Sequence, residues 1–540
     1  MSRVPFKRST ERLPEGGLEP PSAPDAQRDR EWTGPSYSAG LSFSLAGFAV
    51  IGTISLLTSI LSARLYGITV IGQAALALAP VTIVTLLSTV REQPAMVREL
   101  AKLEPRHPRV TGVSLAVFLF SFTLTTVVTA LGLVVCDFVF HGPLHNPRLL
   151  APAAVALCGY LLVINTCWCI DGVLGAFRAG RELFTVRLHQ AVVYGALLVV
   201  FTFFDRSVWG LVLAFLGSWS TALVHRLLLL RRVIRWRVPL AEVRAGFHIL
   251  REIIAFGLKL TPGFLSSGVS EASGTWILGA TGTVDMVGAY SRAWNIASRL
   301  TELNWRITEM LLPTLVQRRT AGDTEGFNRV LVDSLRYASF GLLLPAAVGG
   351  GAADGVMHVF GAGFGSAATA LRWLLLVPLM QTVISIQGAA MMASNRPLVT
   401  SWLGIVRLTI TLIAGVGLTL AFGIVGMAIA MAAGVFVAFL AYTAIVRVVL
   451  RIPLLTLWGY REMAGLLAAY GAGFATADLI QSRLPGTPGL AAALLIGAFA
   501  YALVGIGVGG TTERDRDRLR SALRRVLPRG FALAERLELT

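Results

Sequence analysis

Residues 68–90 read ITVIGQAALALAPVTIVTLLSTV, an uncharged and mostly apolar stretch that is long enough to cross a bilayer as one helix. Gly72, near its start, has a counterpart at a fixed distance further along the chain. Three pairs of glycines share one offset of 216 residues: Gly72 and Gly288 (288 − 72 = 216), Gly172 and Gly388, and Gly210 and Gly426. Ordered matches at a single offset predict a duplication, with two homologous halves in the membrane. Because many secondary transporters are built from two such halves, transport is the leading hypothesis.

The composition is typical of multi-pass membrane proteins. Of the 540 residues, 55% are hydrophobic and 14% are charged, and the mean hydropathy of +0.69 lies outside the soluble range. Apolar segments of spanning length occur at about 41–63, 68–90, 110–136, 150–176, 187–204, 208–229, 254–279, 285–315, 332–358, 367–392, 399–421, 424–446, 463–481 and 488–508. The sequence therefore predicts an all-α polytopic membrane protein with about 14 transmembrane helices, arranged as two homologous six-helix lobes around a central cavity plus two extra C-terminal helices.

These spans, numbered here in chain order, divide the protein into six predicted parts. The parts are a disordered cytoplasmic tail (1–40), an N-lobe with helices 1–6 (41–230), a cytoplasmic amphipathic linker (231–253), a C-lobe with helices 7–12 (254–447), helices 13 and 14 (448–510) and a basic cytoplasmic tail (511–540). The N-terminal tail is polar and contains prolines and charges, a composition that buries too little apolar surface to fold alone.

The formal net charge of +17 is explained by the side of the membrane on which the arginines lie. With a cytoplasmic N-terminus, the inside connections carry arginine clusters at 91–109 and 226–251, which include Arg226, while the outside connections carry few basic residues. This asymmetry follows the positive-inside rule and predicts a protein of the bacterial cytoplasmic membrane with both termini in the cytoplasm. The basic linker and tail are expected to lie on anionic membrane lipids, and no nucleic-acid partner is expected.

Missing motifs exclude several kinds of chemistry. None of the lysines is followed by Ser or Thr, so the chain contains no GK[ST] phosphate-binding loop. His141 and His145 have the spacing of a metal pair on a helix, but Pro143 lies between them and no HExxH motif is present. The four cysteines fall in or beside predicted spans and are interpreted as buried inert thiols. We therefore expect no enzymatic activity, no metal site and no cofactor, with Na⁺ or H⁺ as the candidate coupling ion.

The eighth predicted span carries a charged face. Arg292, Arg299 and Arg306 recur every seven residues and so lie near one line along a helix. Because a charge at the bilayer centre costs about 2.5–3.5 kcal/mol, this face must meet protein or a water-filled cavity and not lipid. We interpret the three arginines as cavity cations that bind an anionic substrate. In the alternative interpretation, Glu302 neutralises Arg299 and Arg306 along the helix and the charges only stiffen the lobe.

Arg292 is the best candidate for a free cation, because no acidic residue lies three or four positions from it. Its guanidinium matches a phosphate with two parallel hydrogen bonds. Subtracting 216 places Leu76, Ile83 and Val90 at the positions of the three arginines, so the first half is apolar where the second is charged. A need of the shared fold should appear in both halves. The asymmetry therefore favours a specialised role.

Three acidic residues inside predicted spans also require an explanation. Glu271 in the seventh span either carries a proton or sodium ion during transport or pairs with an arginine of the eighth span. Glu302 is the second candidate for ion coupling. Asp171 in the fourth span lies close to Arg178, so a local salt bridge is expected there.

Several short motifs occur in an order that matches a known group of exporters. They are Tyr66-Gly67 with Gly72, VREL at 97–100, VGAY at 287–290 with Ala293, Leu312-Pro313 before Gly322-Asp323, and FGAGF at 360–364 with Ala367 and Leu371. Over most of residues 41–450 the chain resembles the polysaccharide transport branch of the multidrug, oligosaccharidyl-lipid and polysaccharide exporter superfamily.

The resemblance implies a flippase that moves an undecaprenyl-diphosphate-linked oligosaccharide across the membrane by alternating access between two lobes, with helices 13 and 14 as additions. It also implies a polysaccharide polymerase and glycosyltransferases as partners. Three alternatives stay open. An ion-coupled multidrug exporter of the same superfamily would favour acidic cavities, and a lipid II flippase is supported by no particular residue. A non-transporting accessory subunit of a polysaccharide synthesis complex would have a fully self-paired eighth span.

Overall fold

The computed structural model describes residues 37–508, except 102, 178, 236–237, 395, 397, 454–456 and 458. Within this part, the side chains of 303–310 and of a few other helical residues are not described. The predicted tails 1–40 and 511–540 lie outside the described residues, apart from 37–40, which already belong to the first helix.

The described residues form helices and no strands. The α-helices are α1 (Tyr37–Leu87), α2 (Glu92–Leu100), α3 (Pro108–His141), α4 (Leu150–Gly159), α5 (Asn165–Ala176), α6 (Gly180–Phe204), α7 (Val208–Val233), α8 (Leu240–Thr281), α9 (Val284–Thr320), α10 (Thr324–Gly351), α11 (Ala353–Phe360), α12 (Ala368–Leu374), α13 (Leu376–Ala393), α14 (Leu398–Leu450), α15 (Tyr460–Arg483) and α16 (Thr487–Gly507). A π-helical turn, Tyr160–Ile164, joins α4 to α5 and makes them one continuous element.

Ten helical stretches are long and apolar enough to cross a membrane, which confirms the multi-pass class. Two of them, in α1 and α14, are each interrupted by a glycine with left-handed backbone: Gly67 (φ 79°) and Gly423 (φ 57°). Only glycine adopts such a conformation without strain, and these residues fall where the sequence separates spans 1 and 2, and spans 11 and 12. The charged helices α8 and α9, at predicted spans 7 and 8, are not among the ten. The count of fourteen stays a prediction.

The linker between the predicted lobes differs from expectation. We expected a separate amphipathic segment at 231–253, whereas α8 begins at Leu240 and runs without interruption into the seventh predicted span. Its first turns pack on α3, where a Cβ on Gly112 would lie 2.3 Å from the carbonyl oxygen of Glu242. A Cβ on the facing glycine, Gly246, would lie 2.4 Å from the carbonyl oxygen of Gly112. Two facing glycines let the helices approach closely, so the linker is anchored to the first half.

The halves meet at the glycines of the repeat. A Cβ on Gly72 would lie 2.0 Å from the carbonyl oxygen of Val284, and a Cβ on Gly288 would lie 2.3 Å from that of Ile68. Val284 is the equivalent of Ile68 in the repeat (284 − 68 = 216), so one contact is made twice in reciprocal form. Reciprocal contacts are what a two-fold axis produces. The packing therefore supports the duplication that the glycine offset predicts.

Two polar contacts hold the same region together. The Thr69 hydroxyl donates to Asp285 Oδ1 at 2.6 Å, and these two residues are themselves 216 apart. Arg64 Nε donates to the carbonyl oxygen of Val359 at 2.8 Å. We call this region, where α1 turns at Gly67, the Gly67 end of the bundle. The main hydrophobic core continues from it and contains residues of both halves, among them Leu76 and Tyr290.

Helices α15 and α16 follow the repeat and pack against α10. The hydroxyl of Tyr501 in α16 donates to the carbonyl oxygen of Phe340 in α10 at 2.7 Å. A Cβ on Gly351 would lie 2.3 Å from the carbonyl oxygen of Phe474 in α15. The two extra helices thus attach to the second half. The lobe boundaries given above stay predictions.

Candidate functional site

Arg292 lies in α9 at the interface of the two halves. Its Nη1 donates to the hydroxyl of Ser59 in α1 at 2.7 Å, and it interacts electrostatically with Tyr194 in α6. Its Nε is buried and has no hydrogen-bond partner, and among the described residues no carboxylate pairs with it. An unmet donor on a partly buried cation is an uncommon arrangement that identifies a place where a ligand could bind.

The repeat shows why Arg292 reaches the other half. Its equivalent Leu76 packs on α8, where the Leu76 Cδ2 would lie 2.6 Å from a Cβ on Gly279. The residue equivalent to Gly279 is Ala63 (279 − 216 = 63), one turn along α1 from Ser59. Arg292 and Leu76 therefore occupy matching places on opposite sides of the two-fold axis. On one side of the axis the apolar Leu76 packs on the other half, and on the opposite side Arg292 places a guanidinium there.

Arg299 lies two turns further along α9 and is paired. Its Nη1 donates to Glu302 Oε1 at 2.9 Å, as expected for residues three positions apart on a helix. The exposed fraction of the side chain is 37% for Arg299 and 50% for Glu302, so the pair is half-exposed. Arg299 and Glu302 therefore neutralise each other, as the alternative interpretation of the charged face expects. The side chain of Arg306 lies outside the described residues.

Among the described side chains, the partners of Glu271 lie outside the eighth span. Its Oε1 accepts a hydrogen bond from Gln381 Nε2 of α13 at 2.8 Å, and Arg407 Nη2 of α14 lies 3.8 Å from the same oxygen. The pairing of Glu271 with Arg407 was not predicted, because 136 residues separate them in the chain (407 − 271 = 136). A signal for Arg407 was present, since a lone arginine inside an apolar span needs a partner.

Asp171 likewise has a partner other than the expected one. Arg226 of α7 donates from Nε to Asp171 Oδ1 at 2.7 Å and from Nη2 to Oδ2 at 3.1 Å. The Arg226 side chain is 2% exposed and also lies over the ring of Trp219. Arg226 therefore belongs to the interior of the N-lobe, and its assignment to a basic inside connection was wrong. Arg178 lies outside the described residues.

The described residues contain no group of three or more His, Cys, Asp or Glu side chains that could hold a metal ion. A cleft of about 470 Å³ opens at the Gly67 end, between Arg64 and the connection from α15 to α16. Asp354, His358 and Asp478 line it, and the α9 arginines do not. The central cavity between the lobes stays a prediction.

The fold defines a class, the helical membrane proteins built from two halves related by a two-fold axis. Residues 60–357, more than half of the chain, match the family described as Polysaccharide biosynthesis protein. The chain belongs to this family, which agrees with the resemblance carried by the motifs.

The chain is also similar to individual known proteins. The probable flippase AglR of Haloferax volcanii is 28% identical over 160 residues, covering 29% of this chain and 33% of the relative. The match thus spans about a third of that relative's length. The lipid II flippase MurJ, solved in an inward closed conformation, superposes with a TM-score of 0.63 over 89% of this chain and 99% of MurJ, at 11% identity.

An outward-facing multidrug resistance MATE family transporter of the MOP superfamily superposes with a TM-score of 0.57. The superposition covers 76% of this chain and 95% of the transporter, at 16% identity. At such identities these two likenesses show the fold alone. The fold is therefore shared by flippases and drug exporters, and the choice between them depends on the site.

Proposed function

We propose that this protein flips a lipid-diphosphate-linked oligosaccharide, a precursor of a cell-envelope polysaccharide, across the cytoplasmic membrane by alternating access. The observation that carries the proposal is Arg292, a cation at the interface of the halves with an unmet buried Nε. Membership of the polysaccharide biosynthesis family and the likeness to AglR support the class of substrate.

The chemistry of this substrate fits the position of Arg292. A diphosphate and its sugars are too polar to cross hydrocarbon, whereas the polyprenyl chain remains in lipid. A guanidinium donates two parallel hydrogen bonds to a phosphate and keeps its charge at every physiological pH. Arg292 would hold the diphosphate between the lobes, with Arg299 and Arg306 further along the same helix.

The direction of access is supported by where the halves touch. Reciprocal glycine packing and the bond from Thr69 to Asp285 close the Gly67 end, while Arg299 and Glu302 are exposed two turns away from Arg292. With both termini in the cytoplasm, the Gly67 end faces outward. The substrate would then enter from the cytoplasmic leaflet, receive its counter-charge at Arg292 and leave when the Gly67 end opens.

A multidrug exporter is the second candidate, because the MATE transporter shares the fold. Organic cations would be repelled by Arg292, which has no carboxylate partner among the described residues. An accessory subunit that does not transport would not require an unpaired hydrogen-bond donor, such as Arg292 Nε, at the interface of the halves. Polysaccharide polymerase and glycosyltransferases would act on the substrate before and after it crosses.

The test is genetic complementation with a chemical readout. Deleting the gene should cause a lipid-linked oligosaccharide to accumulate on the cytoplasmic leaflet, and the wild-type gene should clear it. Arg292→Ala should fail to restore export, and Arg292→Lys should restore it in part because the charge remains without the fork. Arg299→Ala is the matched control on the same helix and should retain most of the export.

The outcomes separate the site from the function. Full restoration by Arg292→Ala removes Arg292 from the substrate site and leaves the flippase proposal standing. Failure of the deletion strain to accumulate any lipid-linked oligosaccharide contradicts the proposed function itself.

A further inference from the structure

A second polar cluster is formed by three helices of the second half. It brings together Glu271 of α8, Gln381 of α13 and Arg407 of α14. Arg407 is 4% exposed, so its charge is removed almost completely from solvent. Such a charge persists in a membrane interior only beside a compensating charge, and Glu271 is the carboxylate that supplies it.

The pair is held by charge and not by a hydrogen bond. Arg407 Nη2 lies 3.8 Å from Glu271 Oε1, beyond hydrogen-bond distance, and Arg407 Nε and Nη2 have no hydrogen-bond partner. The amide of Gln381 already donates to Oε1. The guanidinium therefore compensates the charge of the carboxylate without a hydrogen bond, as a bound cation would.

The other polar atoms of the cluster are oxygens. Ser270, next to Glu271, donates to Thr411 Oγ1 at 3.2 Å, one turn along α14 from Arg407. The hydroxyl of Tyr290, a residue with no exposed surface, has no hydrogen-bond partner and lies against Gly274 on the same helix as Glu271. Of these hydroxyl groups, that of Tyr290 interacts electrostatically with Glu271, and carboxylate and hydroxyl oxygens are ligands that hard cations select. Arg407 is the group that places a positive charge there.

The repeat shows that this pair is not required by the shared fold. Subtracting 216 from Glu271 and Arg407 gives Ser55 and Ala191, so the first half has no charge at either position. The charge pair is therefore a feature of the second half and not of the shared fold.

We propose that Arg407 is a tethered counter-ion of Glu271, which takes the place of a mobile cation. Glu271 then stays ionised through the transport cycle and binds neither Na⁺ nor a proton. Replacing Arg407 by a small neutral residue would convert the cluster into a Na⁺ site built from Glu271 and the neighbouring hydroxyls. The inference is independent of the transported substrate.

The experiment measures Na⁺ binding to the purified full-length protein in detergent. Radioactive ²²Na⁺ binding and the Tm are compared in NaCl and choline chloride of equal ionic strength, at about pH 8, where a carboxylate is ionised. The wild type should bind no Na⁺ and show the same Tm in both salts. Arg407→Ser should bind Na⁺ and gain roughly 3 °C or more in NaCl, because a ligand that binds only the folded state stabilises it.

Two further variants make the result specific. Arg407→Lys keeps a tethered cation and should behave like the wild type. Arg407→Ser combined with Glu271→Gln should lose the response to Na⁺. The proposal is overturned if a folded Arg407→Ser protein binds no Na⁺. It is also overturned if the wild type binds Na⁺ and Glu271→Gln abolishes this binding, a comparison that stands even if Arg407→Ser fails to fold.

Discussion

At the scale of single residues, each half carries one buried arginine–carboxylate pair where the other half is uncharged. Asp171 and Arg226 pair in the first half, and their equivalents are Gln387 and Tyr442 (387 − 171 = 216; 442 − 226 = 216). In the second half, the amide of Gln387 donates to the neighbouring hydroxyl of Thr443 at 2.9 Å, a neutral bond in place of the ion pair. The duplicated fold therefore accommodates either a buried ion pair or a neutral hydrogen bond at these equivalent positions.

This comparison leads to a prediction about the Asp171–Arg226 pair. Asp171→Asn leaves the 2%-exposed Arg226 without a counter-charge, and breaking a buried pair in this way costs about 3–5 kcal/mol. The Tm in detergent should fall clearly below that of the wild type. The double variant Asp171→Gln/Arg226→Tyr copies the second half and should recover much of the loss. Equal Tm values for Asp171→Asn and the wild type would contradict the prediction.

At the scale of the helices, the close approach of the two halves depends on two glycines that the repeat relates. A methyl group on Gly72 or Gly288 would lie within 2.0–2.3 Å of a carbonyl oxygen on the partner helix. Backbone atoms of a packed helix have little freedom to move aside. The helices must therefore separate if either glycine gains a side chain.

We expect Gly72→Ala and Gly288→Ala to destabilise the protein and to lower export by similar amounts, because the contacts are reciprocal. Gly417→Ala is the matched control, since a methyl group there meets nothing within 4 Å. It should be neutral or slightly stabilising, because alanine favours a helix over glycine. The measurements are the Tm and the export assay in the deletion strain. A large effect at one glycine of the repeat and none at the other would argue against the two-fold relation.

The helices also show what the sequence could and could not predict. The gaps between spans 1 and 2 and between spans 11 and 12 were located correctly, because apolar run length and glycine are local signals. The continuity of α8 from the predicted linker into the seventh span was not predicted, since charged residues lower hydropathy without ending a helix. Arg226 was misassigned because its partner Asp171 lies 55 residues away, and a single sequence does not show which distant residues are in contact.

For the site, local signals again succeeded and distant partners were missed. No acid lies near Arg292 on α9, and among the described residues no carboxylate pairs with it. The three-residue spacing anticipated the bond between Arg299 and Glu302. Ser59, Gln381 and Arg407 became visible as partners only when the helices were packed together. The roles of Arg292, Arg299, Arg306, Glu271 and Glu302 in transport stay predictions.

At the scale of the whole molecule, transport by alternating access requires the Gly67 end to open. In the present structure Thr69 and Asp285 join the halves across the two-fold axis at 2.6 Å. Because the two residues lie on opposite halves, a rocking motion of the halves that opens this end separates them. A covalent bond between positions 69 and 285 would fix the closed end without touching the charged face of α9.

We therefore expect the double variant Thr69→Cys/Asp285→Cys to export substrate under reducing conditions and to stop when a short bifunctional thiol reagent joins the two positions. The four native cysteines are first replaced by alanine or serine, so that no other thiol reacts. Each single cysteine variant treated with the same reagent serves as a control and should remain active, which separates cross-linking from loss of the hydrogen bond. Because the lobes move as units between two packed arrangements, one bond at the axis should arrest the entire cycle. Undiminished export by the fully cross-linked protein would mean that the Gly67 end never opens, and the route of the substrate would then lie elsewhere.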